Sequence, residues 1–562
     1  MTDNNYIADQ FSLLAKLMDI HGANSFKAKS YAITAFNIEK LPQQLSETAP
    51  EKLSSIKGIG DSAAKKIAEI FETGKLQVLE ALILSTPAGV LEMLNIKGIG
   101  PKKIATIWKE MEIESLGELL YACNENRLLL YKGFGEKTQQ NVQEAIEYYL
   151  QNQGSFLYAH IHALFPSINT YLEKSFSPAN VAVTGAYRRQ DLTLDELEFV
   201  IAKNNNEIKP IFQTAQPPEL LEEKDDSLLY KLKNGLKLHL YTGAGSLSER
   251  LFFTTGPAAF TNAFSQKFPA ANFKNAAGNN DAGVFASAGI PHVPAYLRDS
   301  VNILEKISGK SVIPEVITEN DIKGIIHTHS NWSDGTNTIE DMAKACIGKG
   351  YEYLVISDHS KTAFYANGLK EDRIQEQHKY VNELNEKYKP FKIFKSIESD
   401  ILNDGNLDYS DSVLSTFDLI IASVHANLKM TEEKAMQRLL NAIKNPYTTI
   451  LGHMTGRLLL SRKGYPVDHR KIIEACAANN VVIELNAHPR RLDMDWYWIE
   501  EAVEKGVLIS IDPDAHNTDG FDDCRYGVLA AQKGGLTKEK NLSSFSLQQF
   551  EYFIGQQKKK QS

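Results

Sequence analysis

Seven short apolar segments, from residue 323 onward, constrain this chain more than any other feature, because each ends in a side chain able to hold a metal ion. Gly324-Ile325-Ile326 leads into His327, Tyr353-Leu354-Val355-Ile356 into Asp358 and His359, and Phe391-Lys392-Ile393-Phe394 into Glu398. Leu419-Ile420-Ile421-Ala422 leads into His425 and Thr449-Ile450-Leu451 into His453. Val481-Val482-Ile483 leads into Glu484 and Asn486, and residues 507–511 into Asp514 and His516. Stretches with helical spacing of apolar residues, such as 339–350 and 468–480, lie between several of them. The pattern predicts βα repetition, and a parallel barrel gathers its chemistry at the carboxyl ends of its strands. Seven tips are therefore expected at one mouth.

His327 and His329 alternate along a predicted strand, so both imidazoles are expected on the same side. With Asp334, His359, Glu398, His425, His453, Asp514 and His516 they make a set of six histidines and three carboxylates. A single zinc takes three or four ligands, so this set suffices for two or three divalent ions if a carboxylate such as Glu398 bridges. Imidazole mixed with carboxylate, without thiolate, suits manganese, zinc or iron over copper or calcium. Closely spaced ions of this kind cleave phosphoesters. His378, His469 and His488 lie off the pattern and are assigned surface or packing roles.

The strings His327-Thr328-His329-Ser330-Asn331-Trp332-Ser333-Asp334-Gly335, Ser357-Asp358-His359-Ser360, Ile397-Glu398-Ser399-Asp400-Ile401, Ser423-Val424-His425, Gly452-His453-Met454-Thr455-Gly456-Arg457 and Asp514-Ala515-His516 resemble the polymerase-and-histidinol-phosphatase (PHP) domain. More closely, they resemble the PHP domain of bacterial family X DNA polymerases. The resemblance implies a distorted (βα)7 barrel with a trinuclear site. One ion would take His327, His329, Glu398 and Asp514, a second Glu398, His425 and His453, and a third Asp334, His359 and His516. It also implies 3′-5′ exonuclease and 3′-phosphodiesterase activity, with cleavage at abasic sites, for which His327, His329, Glu398 and Asp514 are the catalytic candidates. Arg457 and Arg491 match family arginines that could clamp a phosphate.

Residues 1–152 read as helices and repeat a short pattern: Ile56-Lys57-Gly58-Ile59-Gly60, Ile96-Lys97-Gly98-Ile99-Gly100 and Tyr131-Lys132-Gly133-Phe134-Gly135. A glycine turn lets backbone approach a phosphate closely, and the following helix points free N–H groups at that anion. This is the logic of the helix-hairpin-helix, and Gly58, Gly60, Lys66, Gly98, Gly100 and Lys102 are the expected DNA contacts. The region resembles the eight-kilodalton domain of family X enzymes, in which Lys66 falls where a Schiff-base lyase lysine can sit, while Ser62 replaces a neighbouring lysine.

Residues 153–300 alternate strands and helices, with strands predicted at 181–184, 196–201 and 236–241. Thr184-Gly185-Ala186-Tyr187-Arg188-Arg189 resembles the family's glycine-serine nucleotide motif, and Glu196-Leu197-Glu198 follows. Active members carry aspartates at those two places and a third on a later strand. Here the third place falls on His239, the motif serine is Ala186, and Pro257 follows Thr254-Thr255-Gly256 where the family has serine. With Gly185, Ala186, Arg189, Glu196, Glu198 and His239 forming a degenerate site, synthesis is expected to be absent or severely weakened, and Mg²⁺ is needed only if this palm is active. Thr242-Gly243-Ala244-Gly245 reads as a lone glycine turn.

The expected architecture is multidomain: an eight-kilodalton-like helical domain (1–80), a fingers-like helical domain (81–152), an α/β nucleotidyltransferase-like palm (153–235), a small thumb (236–300), a linker (301–322) and the C-terminal PHP barrel (323–562), with a frayed tail over 556–562. The 562 residues carry a net charge of −9, so any DNA contact must come from a local patch. Cys123, Cys346, Cys476 and Cys524 form no C-x-x-C. No basic leader and no long apolar run is read, so the expected setting is cytoplasmic, without a membrane. The function expected is a DNA-repair nuclease acting as a monomer on gapped, nicked, 3′-recessed or abasic duplex DNA. The alternatives are a gap-filling polymerase with an associated nuclease, a phosphatase on a small phosphomonoester, and a non-catalytic DNA scaffold.

Overall fold

The computed structural model describes residues 3–41, 43–151, 154–213, 217–243, 246–273, 280–308, 313 and 315–561. The chain divides into two compact units, one of Met1–Cys123 with Tyr131–Tyr149, the other of Asn124–Leu130 with Leu150–Ser562.

The first unit is helical. Helices Asn4–Ile20 and Ser25–Glu39 pack face to face through residues such as Phe11, Leu14, Tyr31 and Ala35. All three glycine turns share one conformation: Gly58, Gly98 and Gly133 have φ of +92°, +98° and +96°, where an L side chain is strained. The residue between each pair of glycines, Ile59, Ile99 or Phe134, is buried as an anchor. Helices Asp61–Thr73, Pro101–Lys109 and Glu136–Gln151 then begin directly. The expected division at 80/81 falls inside helix Gln77–Leu84. The one expected at 152/153 falls between residues outside those described.

In the second unit the palm is a five-stranded sheet. Its strands are β2 (Val181–Thr184), β4 (Glu196–Ile201), β5 (Glu219–Lys224), β6 (Ser227–Lys231) and β7 (Lys237–Tyr241), and a short pair, β1 (Phe156–Leu157) with β3 (Thr193–Leu194), sits apart from it. The order is β2-β4-β7-β6-β5, with β4 and β7 parallel and the other pairs antiparallel. The expected palm boundary at 235 therefore cuts the sheet: β7, which carries His239, belongs to the palm. The β5–β6 hairpin was missed because every residue of β5 is exposed and its sequence lacks apolar alternation.

A helical layer follows, cored by Phe252, Phe260, Phe264, Val284, Phe285 and Val293. Within it Asp281 is fully buried and accepts from Arg188 at 2.9 Å, Arg298 at 2.5 Å and His292 at 3.2 Å. Much of the expected linker is built into folds. Leu304 and Ile307 join this phenylalanine core, and Ile317 enters the barrel core with its N–H donated to Leu536 O. Within the expected linker, residues 309–312 and 314 lie outside the described residues, as do Ala244 and Gly245 of the glycine turn.

Strands β8 (Gly324–Thr328), β9 (Tyr353–Ile356), β10 (Lys392–Asp400), β11 (Leu419–Ser423), β12 (Ile450–Leu451), β13 (Val482–Asn486) and β14 (Ile509–Asp512) form a parallel sheet in sequential order. His329 N–H donates to Ala515 O at 2.9 Å and Ala515 N–H to His327 O at 3.3 Å, which brings β14 back to β8 and nearly closes a barrel. Helix Leu547–Lys558 plugs the amino-terminal end, where Phe550 stacks on Tyr353 at 4.4 Å and packs edge-on to Phe394. The tail is docked rather than frayed, since Lys560 Nζ donates to Asn479 O and Asn480 O at 3.0 and 3.1 Å; Ser562 lies outside the described residues.

Burial opposes charge on Asp281, yet His292, Arg188 and Arg298 hold its carboxyl well below the usual range. Its contribution to stability is thus present above the ordinary carboxylate pKa and is lost as pH falls toward the depressed folded value. Asp281→Ala is expected to destabilise this layer by about 3–5 kcal/mol, because two arginines are left buried without their partner. The check is hydrogen-exchange protection of the Phe252 and Phe285 amides, and unchanged protection would contradict it.

Candidate metal centre

The carboxyl ends of β8, β9, β10, β11, β12 and β14, with the loops that leave them, bring all nine expected ligands together. Glu398, 1 % exposed, sits among five imidazoles: His359 Nδ1 at 3.0 Å, His453 Nε2 at 3.0 Å, His425 Nε2 at 3.1 Å, His327 Nε2 at 3.2 Å and His329 Nε2 at 3.6 Å. Asp514 lies 3.1 Å from His329 and 3.5 Å from His327. Asp334 lies 3.5 Å from His359 and 3.6 Å from His516. Three groups have ligand atoms close enough to share an ion: His329, Asp334, His359 and His516; His327, His329 and Asp514; and His359, Glu398 and His425. This differs in detail from the partition the resemblance implies, since His329 and His359 each belong to two groups.

His327 and His329 do not converge by flat-strand alternation. The β8–β9 register shifts between Ile325 and Thr328, and His327 has φ +59°. Asp514, near it across the barrel seam, has φ +53°. Left-handed backbone at two non-glycine residues is strain of the kind that collects at functional sites.

Charge is balanced locally. Burial opposes ionisation of Glu398, but His425, His327 and His359 hold its carboxyl well below the usual range. Asp514 is held low against burial by His327 and His329, and Asp334 by His359 and His516. In return, and again against burial, His425 is pushed up to about 10 by Glu398 and Asp400, and His516 to about 10 by Asp334. His329 moves oppositely, down to about 3, through burial and the charges of His359 and His516. Three buried carboxylates thus demand positive charge at one point. Several facing atoms nevertheless make no hydrogen bond: His327 Nε2, His329 Nδ1, both Asp334 oxygens, His359 Nδ1, Glu398 Oε2, His453 Nδ1 and His516 Nε2. Buried polar atoms are rarely left so, and a donor set of this kind fits divalent cations.

Two carboxylates without a role in the expected set orient its histidines. Glu484, a strand tip in the sequence pattern, is fully buried and takes the His327 Nδ1 proton at 2.5 Å, while its other oxygen accepts from His453 N–H and Asn486 Nδ2, both at 3.0 Å. Asn486 donates in turn to Asp514 at 3.1 Å. Asp400 takes the His425 Nδ1 proton at 2.5 Å and shares β10 with Glu398. Asp358 accepts from the backbone N–H groups of Ser330 and Ser333 at 2.8 and 3.2 Å, fixing the loop from His329 to Asp334. Arg491 is buried at the rim, its Nε 3.8 Å from Asp514. Arg457 corrects the expected phosphate clamp: it donates to Arg491 O at 3.1 Å, to Asp495 at 2.5 Å and to Leu492 O, and so straps the loop that carries Arg491. His378 packs edge-on to Phe417 and His469 stacks on Trp498, as packing residues do. His488 is buried near Asp514 and two arginines.

Comparison with known proteins matches residues 2–76 to a helix-hairpin-helix domain, 90–147 to a SAM-like helix-hairpin-helix tandem and 326–488 to the PHP domain. The chain is 32 % identical to the DNA polymerase/3′-5′ exonuclease PolX of Bacillus subtilis (strain 168), over 96 % of this chain and 97 % of that protein. The chain belongs to the PolX family. Over the barrel alone it is similar to a probable phosphatase of Thermoanaerobacter sp. (strain X514), 27 % identical over 39 % of this chain and 89 % of the relative. A probable phosphatase of Caldanaerobacter subterraneus is 29 % identical over 34 % of this chain and 74 % of its own length. As a PolX-family member the chain is an enzyme with a metal-dependent PHP domain and DNA-binding helix-hairpin-helix elements.

Of the expected DNA contacts, Gly60 and Gly100 cap their helices and Lys102 is exposed on the first turn of its helix. Lys66 is half-buried, its Nζ 5.9 Å from the Tyr31 ring, while Tyr31 OH meets Ser62 at 3.1 Å. No single helix among the described residues is long and apolar enough to cross a membrane. All four cysteines are buried, and none forms a disulfide with another.

The PolX palm is arranged differently from the barrel. The turn at Gly185, with φ +62°, receives the Glu198 carboxylate: Ala186 N–H donates to Glu198 Oε2 at 2.9 Å, and a Cβ on Gly185 would stand 1.6 Å from that oxygen. Tyr241 OH donates to Glu198 Oε1 at 3.1 Å, and Glu196 pairs with His239 Nδ1 at 3.2 Å. Arg189 is occupied by Asp191 at 2.6 Å, Asp299 at 3.0 Å and Thr255 O at 2.9 Å. Lys533, from the barrel, completes that cluster, donating to Asp191 at 2.9 Å, to Arg189 O at 2.7 Å and to Asp299. Ala186 N–H and the Arg189 guanidinium are thus satisfied by groups of the protein itself. A pair of octahedral magnesium ions needs oxygen ligands and close geometry, and two glutamates with one histidine do not fit it.

Replacing Glu484 by Gln, which removes the charge that orients His327, is expected to weaken metal binding by the barrel about 10–100-fold. The check is a metal titration of the full-length protein, and unchanged affinity would remove Glu484 from the support of the site.

Proposed function

We propose that this PolX-family protein works in DNA repair mainly as a metal-dependent 3′-5′ exonuclease and 3′-phosphodiesterase of its PHP barrel, acting also at abasic sites, with polymerase activity lost or weak. The observation that carries this reading is the cluster around Glu398, where nine convergent side chains leave buried donor atoms facing one another without hydrogen bonds. These residues would hold two or three divalent ions of the manganese, zinc or iron kind. Such ions supply Lewis acidity toward a phosphoryl oxygen and a water made acidic enough to attack. Around them the chain's own groups position the reaction. Glu484 and Asp400 fix the tautomers of His327 and His425, Asp358 holds the loop to Asp334, and Arg491 brings positive charge to the rim where a phosphate would rest.

DNA as the substrate is supported by the three glycine turns, whose backbone N–H groups suit a sequence-independent grip on phosphates. Gapped, nicked, 3′-recessed and abasic duplexes are the forms this pairing of grip and nuclease suits. A metabolite phosphatase, the reading favoured by the names of the barrel-only relatives, has no use for such turns. Loss of synthesis is supported by the palm, where Glu198, Asp191 and Asp299 already occupy Ala186 N–H and Arg189. Each glutamate also reaches about 1 Å further than an aspartate, a displacement that can cost about a hundredfold in rate.

His329→Ala and Glu398→Gln are each expected to lower 3′-end trimming of recessed and gapped duplexes about a hundredfold or more, since losing a ligand exceeds the 10–100-fold cost of losing its support. DNA affinity should stay nearly unchanged. Full trimming by both variants would overturn the assignment. Primer extension on gapped DNA should be absent with Mg²⁺ or Mn²⁺ and should stay absent in Ala186→Ser; extension abolished by Glu198→Ala would instead establish a working palm.

A further inference from the structure

We propose that the palm retains a metal site of another kind, in which Glu196, Glu198 and His239 take one borderline ion of the Zn²⁺ class in preference to Mg²⁺. The inference stands apart from the barrel's function and rests on the mismatch between these residues and a magnesium pair. The three side chains lie on adjacent parallel strands, where Glu198 is in register with His239 and Glu196 stands two residues earlier on the same face. One ligand atom from each lies within 4.8 Å of the other two. Ligands about 2.1 Å from a tetrahedral zinc stand roughly 3.4 Å apart, and the observed separation of Glu196 Oε1 from His239 Nδ1 is 3.2 Å.

The site is held in advance. Glu198 is buried, with Oε2 anchored by Ala186 N–H and its carboxylate set against a glycine that leaves no room for a Cβ. Among the described residues Oε1 accepts the Tyr241 hydroxyl alone, and a carboxylate oxygen has capacity for a second partner. Among the described residues no lysine or arginine forms an ion pair with Glu196 or Glu198, whereas buried Asp281 and half-buried Asp191 and Asp299 each pair with an arginine. Two adjacent carboxylates beside an imidazole, with no lysine or arginine in contact with either carboxylate among the described residues, favour a cation. The imidazole decides its class, since nitrogen donors suit zinc and its neighbours while magnesium takes oxygen. A single ion does not supply the symmetric clamp of two-metal phosphoryl transfer, so its binding would not restore synthesis.

The test uses the full-length protein and two near-isosteric variants, His239→Asn and Glu196→Gln, with Zn²⁺ as the probe. Each protein is loaded with Zn²⁺, freed of loosely bound metal and analysed for zinc content, with and without millimolar Mg²⁺. Hydrogen exchange over β7 (Lys237–Tyr241) serves as a local readout that metal in the barrel does not move. The expected result is one equivalent of zinc fewer in both variants, no displacement by Mg²⁺, and zinc-dependent slowing of exchange in β7 of the wild type alone. His239→Asp should exchange this zinc for Mg²⁺. Equal zinc content in all three proteins, or β7 exchange indifferent to zinc, would overturn the proposal and leave Glu196 and His239 as an ordinary ion pair.

Discussion

A carboxylate buried among imidazoles governs the carboxy-terminal half of this protein. Removing Glu398 from water costs several kcal/mol unless opposite charge stands beside it, and five histidines from the ends of four strands, β8, β9, β11 and β12, supply positions for that charge. Four different strands must deliver these histidines, so the requirement propagates outward into the order of the sheet. It reaches the left-handed backbone at His327 and Asp514, and the supporting carboxylates Glu484 and Asp400. The apolar barrel interior and the Phe550 plug at the opposite end hold the strands that aim them.

The palm resolves the same electrostatic problem in another way. There Glu198 is matched with a backbone N–H and a hydroxyl, and Asp281, Asp191 and Asp299 with arginines of the chain itself, so that Ala186, Arg188 and Arg189 are all engaged while Glu196 and His239 face one another. Polar groups satisfied internally are poor receptors, because a ligand must displace a partner before it gains one. In the barrel the reverse holds, and buried donor atoms are left facing one another. That difference between quenched and unquenched polar atoms supports the proposal that the chemistry lies in the barrel.

Much of this was legible in the sequence because metal ligands at strand ends are set by covalent order: an apolar run followed by His, Asp or Glu places the ligand without any long-range information. His327, His359, Glu398, His425, His453 and Asp514 could be read that way. The glycine turns were equally local. Glu484 and Asp400 were written in the same pattern, but their function lies in a contact to a ring nitrogen on another strand, which spacing does not specify. The β8 bulge escaped notice because alternation predicts the same convergence of His327 and His329. Arg457 was misread since an arginine aimed at a phosphate and one strapping a loop look alike until its acceptors are known. The docked tail and the built-in ends of the linker follow from burial of Ile554, Ile307 and Ile317, which depends on tertiary packing that spacing does not specify.

The account stands or falls on whether the nine side chains around Glu398 hold divalent ions. Anomalous diffraction from crystals of the manganese-loaded, full-length protein tests this directly. The account predicts two or three peaks within the cluster, neighbouring ions about 4 Å apart, with Glu398 touching at least two of them. A fully occupied crystal with no peak among these residues, or a lone peak elsewhere in the barrel, would contradict it.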